Sequence, residues 1–567
     1  MPCSLAPRDP RSLPIATLLL FGLGSCATPG GADDAGLAVR AAAPAQETTG
    51  EARPLRSVRV EVADVFPAEE ARDKPLYNLL NALHVTTLER TVWRELWMRP
   101  GDPVTPEIAA EIERNLRRTG LFSSARAELQ PTADGGVDLV VRTRDRFSFT
   151  AGASGFSAGG VDGFNVNLGE NNLFGKGDAL TASFAENSEG ETSGGVNYLD
   201  RHFYGTRKRL RLSAGETDEG QRFSVAFDRP LWHLEDDWAW GTSFGFAESD
   251  TDYFEGGDTV AEVPVESTSA SAFVSRTSGP RFERTTWGLE LTFSDEQYGV
   301  ATGLAAPDID VPGDTQRVTL GPYVRYDWID RFDKLRFVDS LGFVEDVQLG
   351  YRAELFAGGQ LRDEQGLDER VEPLLLAGLR SSHEVLEDTY VTFSGTGSLR
   401  WYAGESQGYA ANAALHGFHT GFDRQTWAAS LAFDRVFEGE DLPIELTLGE
   451  DNGLRGYPAR EFSGTRRLRF NLEDRIDSGL EYRTVRLGFV PFFDAAWIGD
   501  DGWGSPLASV GVGLRIGSPE IFGRGVLRFD LAFPLTEVNG ESFDPSLSIA
   551  LGQVFTFFGN SSLLSSR

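Results

Sequence analysis

Two hydrophobic periods in the sequence predict an α+β domain followed by an all-β, transmembrane antiparallel β-barrel. Between residues 55 and 146 the apolar residues change from strand spacing to helical spacing and back, whereas from residue 147 to residue 558 they recur at every second position. Aromatic residues cluster at the ends of the later segments, as they do in barrels that cross a membrane. A closed barrel also removes the unpaired strand edges that lipid does not tolerate.

The first 54 residues predict export and a linker rather than a folded domain. The only sustained apolar run, Ile15–Leu23, follows two arginines and is too short for a membrane-spanning helix, which needs ~20 residues. It is typical of a secretory signal peptide, which we place at residues 1–26. Residues 27–54 are rich in alanine, glycine, proline and threonine and predict a disordered linker.

The cysteines leave two ways of processing this segment open. Cys26 ends a Leu-Gly-Ser-Cys sequence, which resembles a bacterial lipobox and makes Cys26 a candidate lipidation site. Cleavage after Ala27, with small residues at positions 25 and 27, is the ordinary alternative. Cys3 lies in the same segment, so we expect no disulfide in the mature domains, although an exported protein permits one.

The charge of the chain argues against one class of partner. The 567 residues include 85 acidic and 53 basic side chains, which gives a net charge of −32. Phosphate binding requires a basic surface, so we expect no nucleic acid partner. We attribute the acidity to long, solvated external loops. A hydrophobic content of 40% is also too low for a helical membrane protein.

Residues 55–146 predict one α+β domain with the order β-α-α-β-β. The helices carry apolar residues at every third or fourth position, and the strands carry them at every second position. In chain order the elements are a strand at Val58–Val62, a helix starting at a Thr86–Glu89 capping box, a helix starting at Thr105-Pro106 and ending at Gly120, and strands near residues 125–129 and 137–141.

Residues 147–558 predict the barrel. Segments such as Trp287–Ser294 alternate apolar and polar residues, and Leu547–Phe557 predicts the last strand. The pattern alone allows roughly 14 to 18 strands of ~10 residues. A soluble sandwich alternates in the same way, but the export signal, the aromatic strand ends and the charged pairs on the polar face favour a membrane barrel. Acidic, glycine-rich insertions at 247–263, 299–314 and 359–372 suit external loops.

The segment Glu450–Pro458 is the strongest candidate for a functional element. Gly453 and Gly456 bracket two residues, so the backbone can turn tightly there, and Pro458 stiffens the chain that follows. The turn places Arg455 on a loop between predicted strands.

The strands after this turn carry charge on the face opposite their apolar residues. Strand parity alone places Asp494 and Asp530 toward the lumen, because their apolar neighbours share the other face. A buried arginine requires a carboxylate partner, so we expect Arg455 to fold back and meet this charge inside the barrel. The charged residues of this face are Glu473, Arg475, Asp494, Arg515, Arg528 and Asp530.

Several short segments resemble signatures of one membrane-protein family. Leu454-Arg455-Gly456-Tyr457 resembles the VRGF/Y loop signature of the BamA/TamA-like outer-membrane barrel-assembly superfamily, and residues 55–146 resemble its POTRA domain. One such domain departs from members that carry two to five. The other similar segments, in family order, are Gly169–Gly177, Phe492–Ala496 with alanine in place of the final glycine, Gly513–Arg515 and Arg528–Pro534.

The resemblance implies an architecture and a site. It implies a bacterial surface antigen barrel of about 16 strands at 147–558 in the outer membrane of a Gram-negative cell, one periplasmic POTRA domain at 55–146 and a C-terminal tail at 559–567. The implied site consists of the loop motif Leu454, Arg455, Gly456 and Tyr457, of Asp494 as the partner of Arg455, of Phe492 packed beside it, and of Arg515 and Asp530 as further lumen residues.

The resemblance also implies a role in handling polypeptides. We expect assembly or insertion of outer-membrane proteins, or polypeptide translocation, with unfolded outer-membrane or secreted polypeptides bound through the POTRA domain and outer-membrane lipid around the barrel. In this role Arg455 keeps the loop inside the barrel and holds the seam between the first and last strands, whereas a purely stabilising role is the simpler alternative. A passive channel, a structural surface barrel and lipid or glycan handling are the other functions left open, and partner lipoproteins are unknown.

No catalytic pattern occurs in the sequence. It has no nucleophile elbow, no metal-ligand spacing of histidine or cysteine and no phosphate-binding loop. We therefore expect no enzyme activity, no cofactor and no metal, and we assign structural roles to the six histidines, including His84 at a helix entry.

Overall fold

The computed structural model describes residues 51–556 apart from residues 73, 159–160, 189, 438–440, 442–444, 501, 520–524 and 538–541. The expected signal peptide, Cys26, most of the linker and the tail from residue 559 lie outside the described residues.

The helices are α1 (Ala68–Ala71), α2 (Pro75–Leu83), α3 (Glu89–Glu95) and α4 (Pro106–Arg118). The strands are β1 (Arg53–Ala63), β2 (Pro103–Val104), β3 (Phe122–Pro131), β4 (Val137–Asp145), β5 (Phe149–Ala158), β6 (Val161–Leu173), β7 (Asp178–Asn187), β8 (Thr192–Asp200), β9 (Arg209–Thr217), β10 (Gln221–Arg229), β11 (Trp238–Glu255), β12 (Asp258–Ser278), β13 (Glu283–Tyr298), β14 (Thr302–Gly303), β15 (Thr315–Leu335), β16 (Glu345–Glu364), β17 (Arg370–Leu386), β18 (Thr389–Tyr402), β19 (Glu405–Phe422), β20 (Gln425–Phe437), β21 (Leu446–Leu448), β22 (Phe462–Gly464), β23 (Arg466–Tyr482), β24 (Val485–Gly499), β25 (Leu507–Gly517), β26 (Val526–Pro534) and β27 (Ser546–Leu551).

A four-stranded sheet and four helices form the N-terminal domain. The sheet order is β2-β1-β4-β3, with β1 parallel to β4 and the other pairs antiparallel. Val92, Ile112, Leu116 and Leu139 form the centre of its core and are at most 1% exposed. Burial of such side chains stabilises the domain by about 1.5–3 kcal/mol each. Helices α1 and α2 precede the two helices that the sequence predicts.

The start of α3 differs from the expected capping box. The helix begins at Glu89, Leu88 occupies the N-cap position, and no side chain caps it. Instead, the Leu88 amide donates to the carbonyl of Gly175, in the turn between β6 and β7, at 2.9 Å. The barrel therefore satisfies an amide at this helix end, and Thr86 does not act as the cap. Thr105 precedes α4 as expected but makes no side-chain cap bond.

Twenty strands close into an antiparallel ring, which confirms the all-β barrel with four strands more than the resemblance implied. Within the described residues, the ring follows chain order through β5–β13, β15–β20 and β23–β27, and β27 lies next to β5. Strand β14 adds a two-residue pairing to β12, and β21 and β22 form a separate hairpin. The hydrophobic period shows that these segments are strands, but it does not fix how many strands there are, because long insertions and strands have similar lengths.

The two faces of the ring differ in polarity. On β13, Trp287 and Leu289 point outward and are 60% and 49% exposed, whereas Arg284 and Thr286, of opposite parity, are buried. The outer face is therefore apolar and the lumen is lined by polar and charged side chains, as expected for strands that contact lipid.

Within the residues that the structure describes, no helix has the length and hydropathy needed to cross a membrane.

The chain leaves the ring earlier than the sequence predicts. β27 ends at Leu551, and Gly552, at φ 89°, turns the backbone out of the sheet. Phe555, expected on the last strand, is instead 9% exposed in an apolar cluster that includes Val338 and Phe418. Its carbonyl accepts a hydrogen bond of 2.8 Å from Nη2 of Arg475 on β23. Residues 552–556 therefore pack inside the lumen.

The N-terminal domain contacts one end of the ring, which we call the proximal rim; the other end is the distal rim. The guanidinium of Arg117 on α4 binds Asp346 at the start of β16, with Nη2 2.5 Å from Oδ1. Lys334 at the end of β15 donates to Glu113 at 2.9 Å. An ion pair between Arg281 and Glu111 adds a contact at the turn between β12 and β13. Because several turns are involved, the domain is fixed to the rim rather than tethered by one linker.

A buried histidine joins the domain to the first strand of the ring. His84 Nε2 lies 2.8 Å from Asp145 Oδ2, and Nδ1 lies 3.1 Å from the hydroxyl of Ser148. The Thr87 amide donates to the same Asp145 oxygen at 2.7 Å. These contacts hold the residues between β4 and β5 against the end of α2.

A buried acid lies where α3 meets the turn between β8 and β9. The Glu95 side chain is 8% exposed, and its Oε1 lies 3.3 Å from the ring of His202. Burial raises the pKa of Glu95 to about 7, although Arg201, Arg118 and Arg207 act to lower it. Burial and nearby arginines lower the pKa of His202 to about 4, so its ring is neutral at neutral pH.

Thermal stability is expected to fall as the pH rises through the titration of Glu95. A carboxyl whose folded-state pKa lies above its unfolded value stabilises the fold at low pH and loses that contribution as the pH rises through the folded value. For Glu95 the window runs from 4.5 to about 7, which corresponds to about 3 kcal/mol. Glu95→Gln should remove most of the pH dependence of the thermal unfolding midpoint over this window. Glu128→Gln, which changes an exposed acid of the same domain, should leave that pH dependence unchanged. An equal slope in the wild-type protein and Glu95→Gln would contradict this assignment.

Candidate functional site

The loop between β20 and β23 enters the barrel at its described residues, 441 and 445–465, and we call these residues the lumen loop. It contains the β21–β22 hairpin and, between those strands, the turn at 450–458. Gly453 and Gly456 have φ of 108° and 96°, in the left-handed region that favours glycine. A Cβ at Gly456 would lie 3.3 Å from atoms of Ala532 and Pro534. Glycine therefore allows the turn to approach β26 closely.

The Arg455 guanidinium lies among three carboxylates. Its Nε and Nη2 donate to the two oxygens of Asp494 at 2.7 and 2.9 Å. Its Nη1 lies 2.9 Å from Oε1 of Glu473 and 3.2 Å from Oδ2 of Asp530. All four side chains are at most 1% exposed, and we call them the Arg455 cluster. Because the guanidinium fork is planar, these bonds fix its direction as well as its position.

Two uncharged side chains complete the surroundings of this guanidinium. The Phe492 ring lies under it, with 3.5 Å between the guanidinium carbon and the ring centroid. The Asn471 amide donates at 2.8 Å both to Asp494 Oδ1 and to the Gly453 carbonyl. Asn471 thus connects the receiving carboxylate directly to the turn that carries Arg455.

Three further arginines balance the buried acids. Arg475 Nε donates to Glu473 Oε2 at 2.9 Å, and Arg515 Nη1 donates to Asp530 Oδ1 at 2.5 Å. Arg528 Nε lies 3.5 Å from Asp530. Glu473 and Asp530 therefore each have a guanidinium close by in addition to that of Arg455, which offsets the cost of removing their charge from water.

The apolar residues of the motif fix the loop on the other side. Leu454 and Tyr457 are fully buried. The Tyr457 hydroxyl donates to the carbonyl of Ala508 on β25 at 2.8 Å, and its ring meets Phe462 and Phe543 edge to face. Edge-to-face rings in a buried cluster add stability beyond the area that they bury.

Glu450 connects the same turn to the last strand of the ring. Its Oε2 accepts a hydrogen bond of 2.9 Å from the Ser546 hydroxyl, and the side chain is 6% exposed. Through Glu473, Asp494, Ala508, Asp530 and Ser546 the lumen loop contacts every strand from β23 to β27. The loop therefore joins five neighbouring strands, including the one at the seam with β5.

A second ionic cluster holds the lumen loop to another part of the wall. Asp441 Oδ1 accepts bonds from Arg317 on β15 at 2.8 Å and from Arg362 on β16 at 2.7 Å, and Arg400 on β18 binds Oδ2. Burial acts to raise the pKa of Asp441, but the three guanidinium groups outweigh it and lower the pKa. We call these four residues the Asp441 cluster.

The structure brings together all the lumen residues that the sequence and the resemblance named. Asp494 accepts the guanidinium fork and Phe492 packs against it, while Asp530 is shared between Arg455 and Arg515. Strand parity also places Glu473 on the charged face, but it does not identify Glu473 as a partner of Arg455. Asp441 lies in a loop without periodicity, so no sequence signal marks it. The lumen residues named are Leu454, Arg455, Gly456, Tyr457, Phe492, Asp494, Arg515 and Asp530.

No set of histidine, cysteine and acidic side chains in the described part of the chain has the arrangement of a metal site.

Comparison with known proteins gives distant structural likenesses only. No protein-family model matches the sequence, and no curated protein matches it. The chain is similar to BamA from Haemophilus ducreyi lacking POTRA domains 1–3, with 14% identity over 88% of this chain and 85% of that chain and a TM-score of 0.39. It is similar to CdiB from Escherichia coli, with 12% identity over 88% and 76% and a TM-score of 0.47, and to CdiB from Acinetobacter baumannii, with 13% over 88% and 74% and 0.41. Likenesses this distant establish neither family membership nor function, and the fold rests on the strand topology itself.

Proposed function

We propose that the chain is a bacterial outer-membrane barrel of the BamA/TamA-like superfamily that takes part in outer-membrane protein assembly or polypeptide translocation, with its N-terminal domain, a POTRA domain, in the periplasm. The observation that carries the proposal is the lumen loop, which the Arg455 cluster joins to β23, β24 and β26 and which Glu450 joins to β27. A loop tied to the strand at the seam can hold that seam in one state.

The lengths of the seam strands support this proposal. β27 has 6 residues and its neighbour β5 has 10, so part of β5 extends beyond any pairing with β27. A strand edge with free amides and carbonyls is a template on which another strand can add. The inward turn at Gly552 limits β27, because residues 553–556 pack inside the lumen.

The N-terminal sheet offers a second edge for a polypeptide. The outer edge of β3 is partly occupied, because Glu113 accepts from the Ala127 amide at 3.0 Å and Arg117 donates to the Ala125 carbonyl at 3.3 Å. β1 pairs with β2 only at Arg53 and Pro54, so its later residues form the freer edge in the described domain. We assign the uptake of a client strand to β1.

A passive channel is less well supported by the lumen. Residues of the lumen loop lie inside it at both the Asp441 and the Arg455 clusters, and residues 552–556 fill part of the proximal end. Both features reduce the open cross-section, whereas a channel requires a continuous water path.

The proposal is tested with the purified full-length protein in liposomes. Urea-unfolded barrel of an unrelated outer-membrane protein is diluted onto the vesicles, and its folding is followed by the shift of its unheated band on a gel. We expect faster folding than on vesicles that hold an equal mass of another barrel. Steady ion conductance without any acceleration would favour the passive channel and overturn the proposal.

A further inference from the structure

A cavity of about 600 Å³ lies where α3 and the residues after it meet the turn between β8 and β9. Arg94, Arg99 and Arg207 line it, and Asp102 is the only acid among its lining residues. In the described part of the chain no carboxylate lies within ion-pair distance of these three arginines, and Asp102 accepts the Arg99 amide at 2.7 Å. The cavity is thus basic, although the chain carries a net charge of −32.

Two buried polar groups at this cavity lack a partner. His202 is 2% exposed, and neither of its ring nitrogens makes a hydrogen bond to a described residue; the nearest carboxylate oxygen, of Glu95, lies 3.3 Å from Nε2 without hydrogen-bond geometry. The indole nitrogen of Trp97 is also buried and has no hydrogen-bond partner among the described residues. Leaving buried donors unpaired is costly, so both point to a ligand that accepts hydrogen bonds.

The cavity adjoins the outer, apolar face of the ring. Phe203, at the start of the turn, meets Phe227 edge to face with centroids 5.4 Å apart, and Phe227 meets Trp240 in the same way at 5.3 Å. Phe223, on the same face of β10 as Phe227, is 44% exposed. The turn that supplies His202, Gly205, Thr206 and Arg207 to the cavity lining therefore adjoins the surface that faces lipid.

An exposed apolar strip on the N-terminal domain extends that surface. It lies beside two turns of the proximal rim, because the Leu88 amide binds the Gly175 carbonyl and the Arg94 guanidinium lies beside Gly205. Exposed aromatic residues at the tips of these turns complete the strip. Its members, which are 37% to 87% exposed, are Leu79, Leu83, Val85, Leu88, Trp93, Phe174 and Tyr204.

We propose that this cavity binds the phosphate headgroup of an anionic phospholipid whose acyl chains lie along the apolar strip. Guanidinium groups suit the oxygens of a phosphate, and the neutral His202 ring and the Trp97 indole each offer one further N–H. Tryptophan beside basic residues is typical of the boundary between lipid and water, where basic side chains attract anionic lipid. The inference rests on the membrane location in the proposed function but not on the handling of a client.

The test uses the full-length protein in detergent, titrated with phosphatidylglycerol, phosphatidylcholine or inorganic phosphate, with bound lipid counted by native mass spectrometry. Arg94→Gln/Arg207→Gln should bind phosphatidylglycerol at least about tenfold more weakly than wild type. The matched variant Arg126→Gln/Arg144→Gln removes two exposed arginines of the same domain and should bind within about twofold of wild type. An unchanged gel shift on heating shows that each variant keeps its barrel.

Selectivity for phosphatidylglycerol over phosphatidylcholine, lost only in the cavity variant, supports the proposal. Equal loss in both double variants would show non-specific attraction and would overturn it. Binding of inorganic phosphate with no lipid binding would assign a free anion instead, and displacement of lipid by an acidic peptide at equal concentration would assign a polypeptide. Because no client is present, failure of the folding assay and failure of lipid binding are separate outcomes.

Discussion

Arg455→Ala is expected to release the later part of the lumen loop, residues 445–465, from strands β23–β26 while the ring stays closed. The substitution leaves Glu473, Asp494 and Asp530 buried with one fewer cation, and only Asp494 loses its direct guanidinium partner altogether. Removing one partner of a buried ion pair costs about 3–5 kcal/mol, because the remaining charge is neither solvated nor paired. Every hydrogen bond of the ring itself remains, so insertion into the membrane should be largely intact.

The release is measured by hydrogen exchange of peptides from the lumen loop, together with the folding assay in liposomes. In Arg455→Ala the amides between residues 445 and 465 should exchange much faster than in wild type, and folding of the client barrel should slow. Arg455→Lys keeps the charge but lacks the fork that binds both Asp494 oxygens. Its loop amides should therefore exchange at a rate between those of wild type and Arg455→Ala. Arg352→Ala, which removes an ion pair with Asp327 between wall strands, should leave loop exchange unchanged. Full protection of the loop in Arg455→Ala would refute the anchoring role.

Strand parity explains why this cluster could be foreseen. Once a run of apolar residues fixes one face of a strand, every alternate residue must point to the opposite face. Parity therefore predicts that Asp494 and Asp530 face the lumen, whichever strands pair with one another. A lone arginine on a tight turn then needed a carboxylate, and the lumen was where carboxylates lay. The pairing of each carboxylate with a particular guanidinium nitrogen depends on the register between strands. Parity within one strand does not determine that register.

Residues whose position depends on distant contacts could not be foreseen in this way. Phe555 continues the period of the last strand, but Gly552 turns the chain inward before Phe555 can join it. The capping box at Thr86 fits the local sequence, yet the Gly175 carbonyl of the barrel takes the amide at that helix end. In both places a contact far along the chain overrides a correct local pattern.

The lumen loop is fixed at two points that share no residue. The Asp441 cluster uses wall strands β15, β16 and β18, whereas the Arg455 cluster uses β23, β24 and β26. Such independent sites are expected to contribute additively to stability. The two clusters do not act additively on the position of the loop, because a loop held at either point still lies inside the barrel.

Asp441→Asn is therefore expected to destabilise the protein without opening the lumen, and Asp441→Asn/Arg455→Ala is expected to open it. The single variant leaves Arg317, Arg362 and Arg400 without their shared anion, so the early part of the loop detaches while Arg455 still holds the later part. Only loss of both clusters allows the loop to leave. Planar-bilayer conductance should be small in each single variant and much larger in the double variant.

Glu372→Gln is the matched control for this comparison. It removes a fully buried lumen carboxylate that lies 3.9 Å from Arg400 but belongs to wall strand β17 rather than to the loop. Combined with Arg455→Ala it should not raise conductance above that of Arg455→Ala alone. If Asp441→Asn conducts as much as the double variant, the Arg455 cluster cannot hold the loop by itself; if the double variant stays closed, neither cluster holds it. In either case the loop would not be a two-point support across the lumen.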